Sequence, residues 1–399
     1  MGLRRAAGLA AVAALIALIL LQAPGAGARA AAPGSLAIVR ATATGRLVVL
    51  HVRIRGWKAG ARWHIYVDGR YANFSTDPAV GVVRIVKPGR HSVFARFGRA
   101  RSRTLRVRIR KPGGPVIAAA GDIACDPSYP NFNGGRGTAD ECHEAGTSAL
   151  LVRARLAAVL PLGDLQYECG AAAAFQRSYD PTWGRVKSIS HPAIGNHEYQ
   201  TWGATDCPGG GAGYFAYFAG AGGGRSQSYY SFDLGAWHLI ALNSNCNDVG
   251  GCGTGSPQER WLRADLAAHP RRCTLAYWHH PRFTSGREHK NDLMVAPLWQ
   301  ALSDARADVV LVGHEHNYER FAPQTPAGVA DPRRGIREFV VGTGGRSHDG
   351  FVRPLPTSQR RNDNTFGVLE LTLLPSGYRW QFVPETGAVF TDSGSGSCH

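Results

Sequence analysis

Five short apolar runs in this chain each stop at a residue that can hold a cation. Residues 116–120 run into Gly121-Asp122, and 157–162 into Gly163-Asp164. Residues 188–194 end at Gly195-Asn196-His197-Glu198, 273–278 at His279-His280, and 308–312 at Gly313-His314-Glu315-His316. Carboxylate, amide oxygen and imidazole are donors for hard and borderline metal ions. Gly lets the chain turn sharply, so the following side chains project past a strand's carboxyl edge. His314 and His316 then fall on one side of an extended segment. Each signal alone has an ordinary reading. Asp after Gly is often a cap, a lone Asn a turn residue, and a buried His a hydrogen-bonded core group. Five in this order converge only if sheets line their strands up at one edge, where α/β proteins place their sites.

The elements that must position them follow from the pattern. Residues 35–112 alternate apolar and polar in about seven short strands, at 47–55, 63–67, 82–86, 91–97 and 104–110 among others. In the last, Leu105, Val107 and Ile109 share one face and Arg106, Arg108 and Arg110 the other. That predicts a small immunoglobulin-like or fibronectin type III-like sandwich. Lys111-Pro112-Gly113-Gly114-Pro115 reads as a linker. Strands then alternate with helices, expected over 139–155, 256–269 and 297–306. Ser256-Pro257-Gln258-Glu259 is a capping box with Pro at the first helical position. Residues 229–242 read as a hairpin about Gly235, residues 366–374 and 378–383 as a closing hairpin, and the Gly-rich 203–224 as a loop near the site.

The chain has 399 residues and a formal charge of +16. Residues 35–112 hold 18 Lys/Arg against only Asp68 and Asp77, and the rest after 112 holds 24 against 27 acids. The positive charge therefore belongs to one segment. A solvated Arg face is the ordinary reading. The sharper one is a module that holds the protein on an anionic cell-surface polymer; nothing points to specific nucleic-acid binding. Residues 1–30 have the basic start, apolar core and small-residue end of a signal peptide, with a retained N-terminal anchor as the alternative. No later stretch is apolar enough to span a membrane. All eight Cys lie after residue 113 and none forms a CxxC pair. Behind a secretion signal this favours disulfides, and the pairing preferred is 125–142, 169–207, 246–252 and 273–398.

The motif set resembles the calcineurin-like metallophosphoesterases. It comprises Gly121-Asp122, Gly163-Asp164-Leu165-Gln166-Tyr167, Gly195-Asn196-His197-Glu198, His279 and Gly313-His314-Glu315-His316-Asn317-Tyr318-Glu319-Arg320. Tyr167, three residues after Asp164, and the Tyr-Glu-Arg after the second His make it most similar to the purple acid phosphatase branch. The resemblance implies a four-layer αββα sandwich over 115–392, with a sandwich domain ahead of it as in plant-type members. It implies a first metal, ferric where a Tyr binds, held by Asp122, Tyr167 and His316. Asn196, His279 and His314 would hold a second, divalent one (Zn, Fe or Mn), and Asp164 would bridge the two. His280 is the alternative to His279. His197 and His289 would be the substrate-side residues, binding a phosphoryl oxygen or protonating the leaving group. The implied reaction is hydrolysis of small phosphomonoesters by a metal-bound hydroxide in a secreted enzyme, with a phosphodiesterase on phospholipid or nucleotide substrates as the alternative. Cys169 stands where many relatives carry an acidic residue, next to the loop of Tyr167. Tyr318, Glu319 and Arg320 are expected to support the loop of His314 and His316.

Overall fold

The computed structural model describes residues 35–204, 206–225 and 227–399. The expected signal peptide, 1–30, lies outside them. The N-terminal part is all β: β1 (Leu36–Thr44), β2 (Leu47–Ile54), β3 (Trp63–Val67), β4 (Arg70–Ser75), β5 (Val80–Arg84), β6 (Gly89–Phe97), β7 (Ala100–Arg101) and β8 (Leu105–Ile109). One sheet runs β1-β2-β5, and the other runs β4-β3-β6 with β7 and β8 both pairing β6. Their facing side chains, among them Ile38, Leu50, Trp63, Ile65, Val83, Val93 and Ile109, form a separate apolar cluster. The alternation in β8 holds, with Arg106 and Arg108 exposed and Ile109 buried. Among the described residues eight strands stand where about seven were expected, and β1 and β4, outside the five named stretches, carry too many polar or small residues to stand out by pattern.

The remaining strands are β9 (Val116–Ala120), β10 (Ala158–Pro161), β11 (Tyr230–Leu234), β12 (Trp237–Ala241), β13 (Cys273–Tyr277), β14 (Val309–Val312), β15 (Tyr318–Phe321), β16 (Arg337–Val341), β17 (Ser358–Asn362), β18 (Gly367–Leu374), β19 (Gly377–Pro384) and β20 (Ser393–Ser397). They make a five-stranded sheet, β10-β9-β18-β19-β20, and a seven-stranded one, β11-β12-β13-β14-β16-β15-β17. Both are mixed. β9 and β10 run parallel, as do β12, β13, β14 and β16. Parallel strands buried on both faces read as continuous apolar runs, and period 2 sorts their two sides. Leu275, Tyr277, Val309, Leu311, Phe339 and Val341 point into a core shared with Ile117, Ala119, Leu369 and Phe382 of the other sheet. Ala276, Val310, Val312 and Val340 point outward, under Leu262 of helix Pro257–Ala268 and Leu298, Trp299 and Leu302 of helix Ala296–Asp304. The Ser256 cap is made: its side chain accepts the Glu259 N–H.

The helix expected over 139–155 is only Glu144–Val152. Cys142 is pinned to Cys125 and sits at φ 65°, and the N–H groups of Cys142 and His143 go to the Arg346 and Gly345 carbonyls instead of a helix. The Gly-rich 203–224 contains a helix, Ala212–Phe218, which buries Tyr214, Tyr217 and Phe218. The aromatic spacing that drives it was masked by the glycines around it. All four preferred disulfides are present. Cys273–Cys398 spans 125 residues and ties the C-terminal strand to β13; the chain-entropy model values such a loop at about 5 kcal/mol.

Candidate metal centre

Because β9 and β10 are parallel within one sheet, and β13 and β14 within the other, the loops that follow them emerge at common edges. The two edges meet. The Gly121 N–H bonds the Val341 carbonyl across the sheets at 2.9 Å, and the His314 N–H bonds Asp122 Oδ2 at 2.9 Å. Asp122, Asp164 and His314 all lie at positive φ, 61°, 48° and 73°. Non-Gly residues hold that region only where the surroundings over-determine it, and such strain gathers at functional sites.

Two groups of donors share one carboxylate. Tyr167 OH lies 3.2 Å from Asp122 Oδ1, 3.1 Å from Asp164 Oδ2 and 3.0 Å from His316 Nε2. On the other side, His279 Nε2 lies 3.2 Å from Asp164 Oδ2, 3.0 Å from Asn196 Oδ1 and 3.2 Å from His314 Nδ1. Asp122, Asp164, Tyr167 and His279 are almost completely buried. The structure thus brings together the six residues expected from the strand ends and Tyr167, the seventh, which the family resemblance added.

The chemistry of this donor set fits metal ions. His279 Nδ1 donates to the Leu162 carbonyl at 2.9 Å, so in the neutral ring it is Nε2 that carries the lone pair, facing inward. His316 Nδ1 meets Ser347 Oγ at 2.7 Å, which turns its Nε2 toward Tyr167 and Asp122. Carboxylate, amide and imidazole groups thus face one another, an arrangement that suits a bound cation. Burial lowers the pKa of His279, but the carboxylates of Asp164 and Asp122 outweigh it and push it up to about 9. Burial likewise raises Asp164, yet the imidazoles of His279, His197 and His314 hold it well below the usual carboxylate range. Metal ions, the largest local charges in such a site, take over this compensation when bound. His280 lies one step outside: its Nδ1 meets Ser244 Oγ at 2.7 Å, and burial pushes it down to about 3. It is within reach of a candidate group with His279 and His314.

His197 and His289 face a cavity of about 260 Å³ with Asp164, Asn196, His314 and His316. His197 Nδ1 bonds the Glu168 carbonyl at 2.6 Å, and its Nε2 stands 3.8 Å from Asp164 Oδ2. The Cys169–Cys207 bridge holds the same loop, while Glu168 reaches Arg346 at 3.1 Å. The ring of His289 stacks on His314 with centroids 3.7 Å apart, and burial lowers its pKa. Tyr318 and Arg320 both bond Asp392, and Glu319 bonds Ser285, so this triplet braces the loop from β15, a strand where only loop supports were expected.

Several residues escaped the sequence reading. Glu198 is fully buried and accepts the N–H groups of Leu165, Gln166 and Gly195, which staples the Asp164 loop to the Asn196 loop. Glu315 accepts the His289 N–H at 2.8 Å, and burial pushes it up to about 8. Ser347 and Asp349 follow β16, another parallel strand ending at this edge in a Gly run. That end was the available signal. Gly195 is needed for close approach: a Cβ there would lie 2.1 Å from Asp164 Oδ1. Gly195→Ala is therefore expected to displace Asp164 and cut metal retention at least about tenfold, since even outer partners are worth that much. Metal analysis after dialysis checks it, and full retention would contradict the placement.

The chain belongs to the calcineurin-like phosphoesterase family, a family of metal-dependent phosphoester hydrolases, whose model matches residues 116–318. It is 31% identical over 203 residues to an uncharacterized Mycobacterium tuberculosis protein, Rv2577, covering 42% of this chain and 38% of that one. It is 31% identical over 163 residues to purple acid phosphatase 18 of Arabidopsis thaliana, covering 39% of this chain and 36% of that one. The matched segments thus span under two-fifths of these relatives' length. Among solved structures, purple acid phosphatase PPD1 from yellow lupin (Lupinus luteus) shares the fold, with a TM-score of 0.56 and 18% identity over 91% of this chain and 74% of that one.

Proposed function

We propose that this protein is a secreted phosphomonoesterase working through a two-metal centre. One observation carries the reading: Asp164 Oδ2 sits between two complete donor groups, 3.1 Å from Tyr167 OH and 3.2 Å from His279 Nε2. Asp122, Tyr167 and His316 would hold one ion, and Asn196, His279 and His314 the other, with Asp164 common to both. A phenolate suits ferric iron, while imidazole and amide oxygen suit a divalent ion such as Zn, Fe or Mn. A bound pair supplies Lewis-acid charge and an acidified water. The chain's own residues orient the substrate. His197 and His289 flank the cavity on the side open to solvent, where a phosphoryl oxygen and the leaving group would lie. His197 is aimed by the Glu168 carbonyl. His289 is held through its backbone by Glu315.

The same donor set can serve diesters. Relative rates on aryl phosphate monoesters and bis-aryl diesters test the preference, and a faster diester reaction would overturn it. The ferric assignment has its own test. Burial and the two carboxylates push the Tyr167 phenol up while Arg346 pulls it down, so a trivalent ion is what would strip its proton. Purified protein is expected to show a visible tyrosinate-to-iron band that disappears in Tyr167→Phe. A colourless, active wild type would mean that Tyr167 is not bound to ferric iron.

Four disulfides among the described residues accord with secretion, and no described helix is long and apolar enough to cross a membrane. For residues 35–112 the reading is an immunoglobulin/fibronectin III-like domain ahead of a catalytic domain at 115–392. Three strands facing an antiparallel sheet support it, as does the lupin match, which extends well beyond 116–318. The Arg face of β8 supports anchoring on an anionic cell-surface polymer. Salt-reversible adsorption to a polyanionic resin that survives Arg106→Glu would argue against it.

A further inference from the structure

A second cavity, of about 330 Å³, lies where the N-terminal sheets meet β18 and β19. That volume is at the lower end for small-ligand sites. Its lining includes Arg46 from the β1–β2 turn, Arg108, Arg110 and Lys111 from β8 and the residues after it, and Arg379 from β19. The acid among these residues is Glu370, which lies against Arg84 and within ion-pair distance of Arg46. Five cations thus line the cavity against this one carboxylate.

Arg46 distinguishes this place from a solvated Arg face. Its side chain is only 8% exposed, and its Nε and Nη1 make no hydrogen bond. Nη1 lies 3.8 Å from Glu370, and Nη2 donates to the Arg155 carbonyl at 3.4 Å. A buried guanidinium with free donors is costly unless an acceptor arrives. Burial and the neighbouring Arg155 both lower its pKa. The guanidinium fork matches the oxygens of a tetrahedral oxyanion. Around it, Arg108, Arg110, Lys111 and Arg379 are exposed at the rim, free to turn toward a ligand. A neighbouring cavity of about 560 Å³ shares Arg108, Arg110 and Lys111.

We propose that this junction cavity binds a multiply charged oxyanion of the phosphate type. The ligand would touch both the β1–β2 turn and β19, so it would clamp the N-terminal sheets to the rest of the chain. Free phosphate and the phosphoryl end of a longer chain offer the same chemistry. The site is independent of the metal centre.

Calorimetric titration of the metal-loaded protein with sodium phosphate, at constant ionic strength in chloride, tests this. Two phosphate sites are expected on the wild type. On Arg110→Glu, affinity at one of them should fall at least about tenfold, the scale of a hydrogen bond to a charged group, with turnover unchanged. Arg46→Gln should do the same, and if it fails to fold, the exposed Arg110 variant still decides. A thermal midpoint that rises with phosphate in the wild type and less in Arg110→Glu would follow from the clamp. Tripolyphosphate binding tighter than orthophosphate assigns the site to a chain end; equal binding assigns it to the free ion. A single phosphate site on the wild type, or unchanged binding in Arg110→Glu, overturns the proposal.

Discussion

Asp164→Ala is expected to lose bound metal and phosphoester turnover together. Asp164 is common to both donor groups, and its Oδ1 also accepts the His197 N–H at 2.9 Å. Removing it leaves each group one ligand short and leaves imidazoles packed together without their counter-charge. Outer-shell partners alone are worth about 10–100-fold in metal affinity, so a bridging carboxylate should cost more. Ala at φ 48° adds about 1–2 kcal/mol of backbone strain. Asp164→Asn is the better-folded companion, because Asn tolerates that region and keeps the shape while removing the charge. Metal content by mass spectrometry, read beside kcat and a circular dichroism spectrum, decides the case. A folded Asp164→Asn with both ions and normal kcat would sink the two-metal reading.

His197→Ala should give a different signature: full metal content with kcat down about 10²–10⁴-fold, the range for a positioned proton-transfer group. Its Nε2 is 3.8 Å from Asp164 Oδ2, beyond hydrogen-bond distance, and its Nδ1 is committed to Glu168. It faces the cavity without being needed to hold an ion. If it protonates the leaving group, the loss is larger for alkyl than for nitrophenyl phosphates, because a good leaving group departs without a proton. The same loss on both would limit it to binding a phosphoryl oxygen. Unchanged kcat would remove it from the reaction.

Much of the fold and site was legible in the residues themselves. Local chemistry showed wherever a rule acts over a few positions. Ser256 and Glu259 announced their helix, the alternation of Leu105–Ile109 its sheet face, and Gly-Asp or Gly-His at the end of an apolar run a residue of the candidate site. Elements without an apolar period did not show. Strand Ser393–Ser397 alternates Ser and Gly, and its pairing with β19 comes from the sheet edge and the Cys273–Cys398 tether. Residues 139–143 looked helical because the carbonyls that take the Cys142 and His143 N–H groups, at Arg346 and Gly345, are remote in sequence.

The site shows the same division. The identity and order of Asp122, Asp164, Asn196, His279, His314 and His316 are properties of the sequence, because residue type and strand end are both local, while Tyr167 was legible only through the family motif. Which nitrogen faces inward, how His197 is aimed, and what supports His316 depend on Leu162, Glu168, Ser347 and Asp349. Those contacts join residues up to 117 apart, and only the closed sheets make them neighbours. The free Nε and Nη1 of Arg46 belong to the same class. A basic N-terminal segment is plain from composition, but that one of its arginines is buried with free donors beside β18 is decided by how two sets of sheets pack.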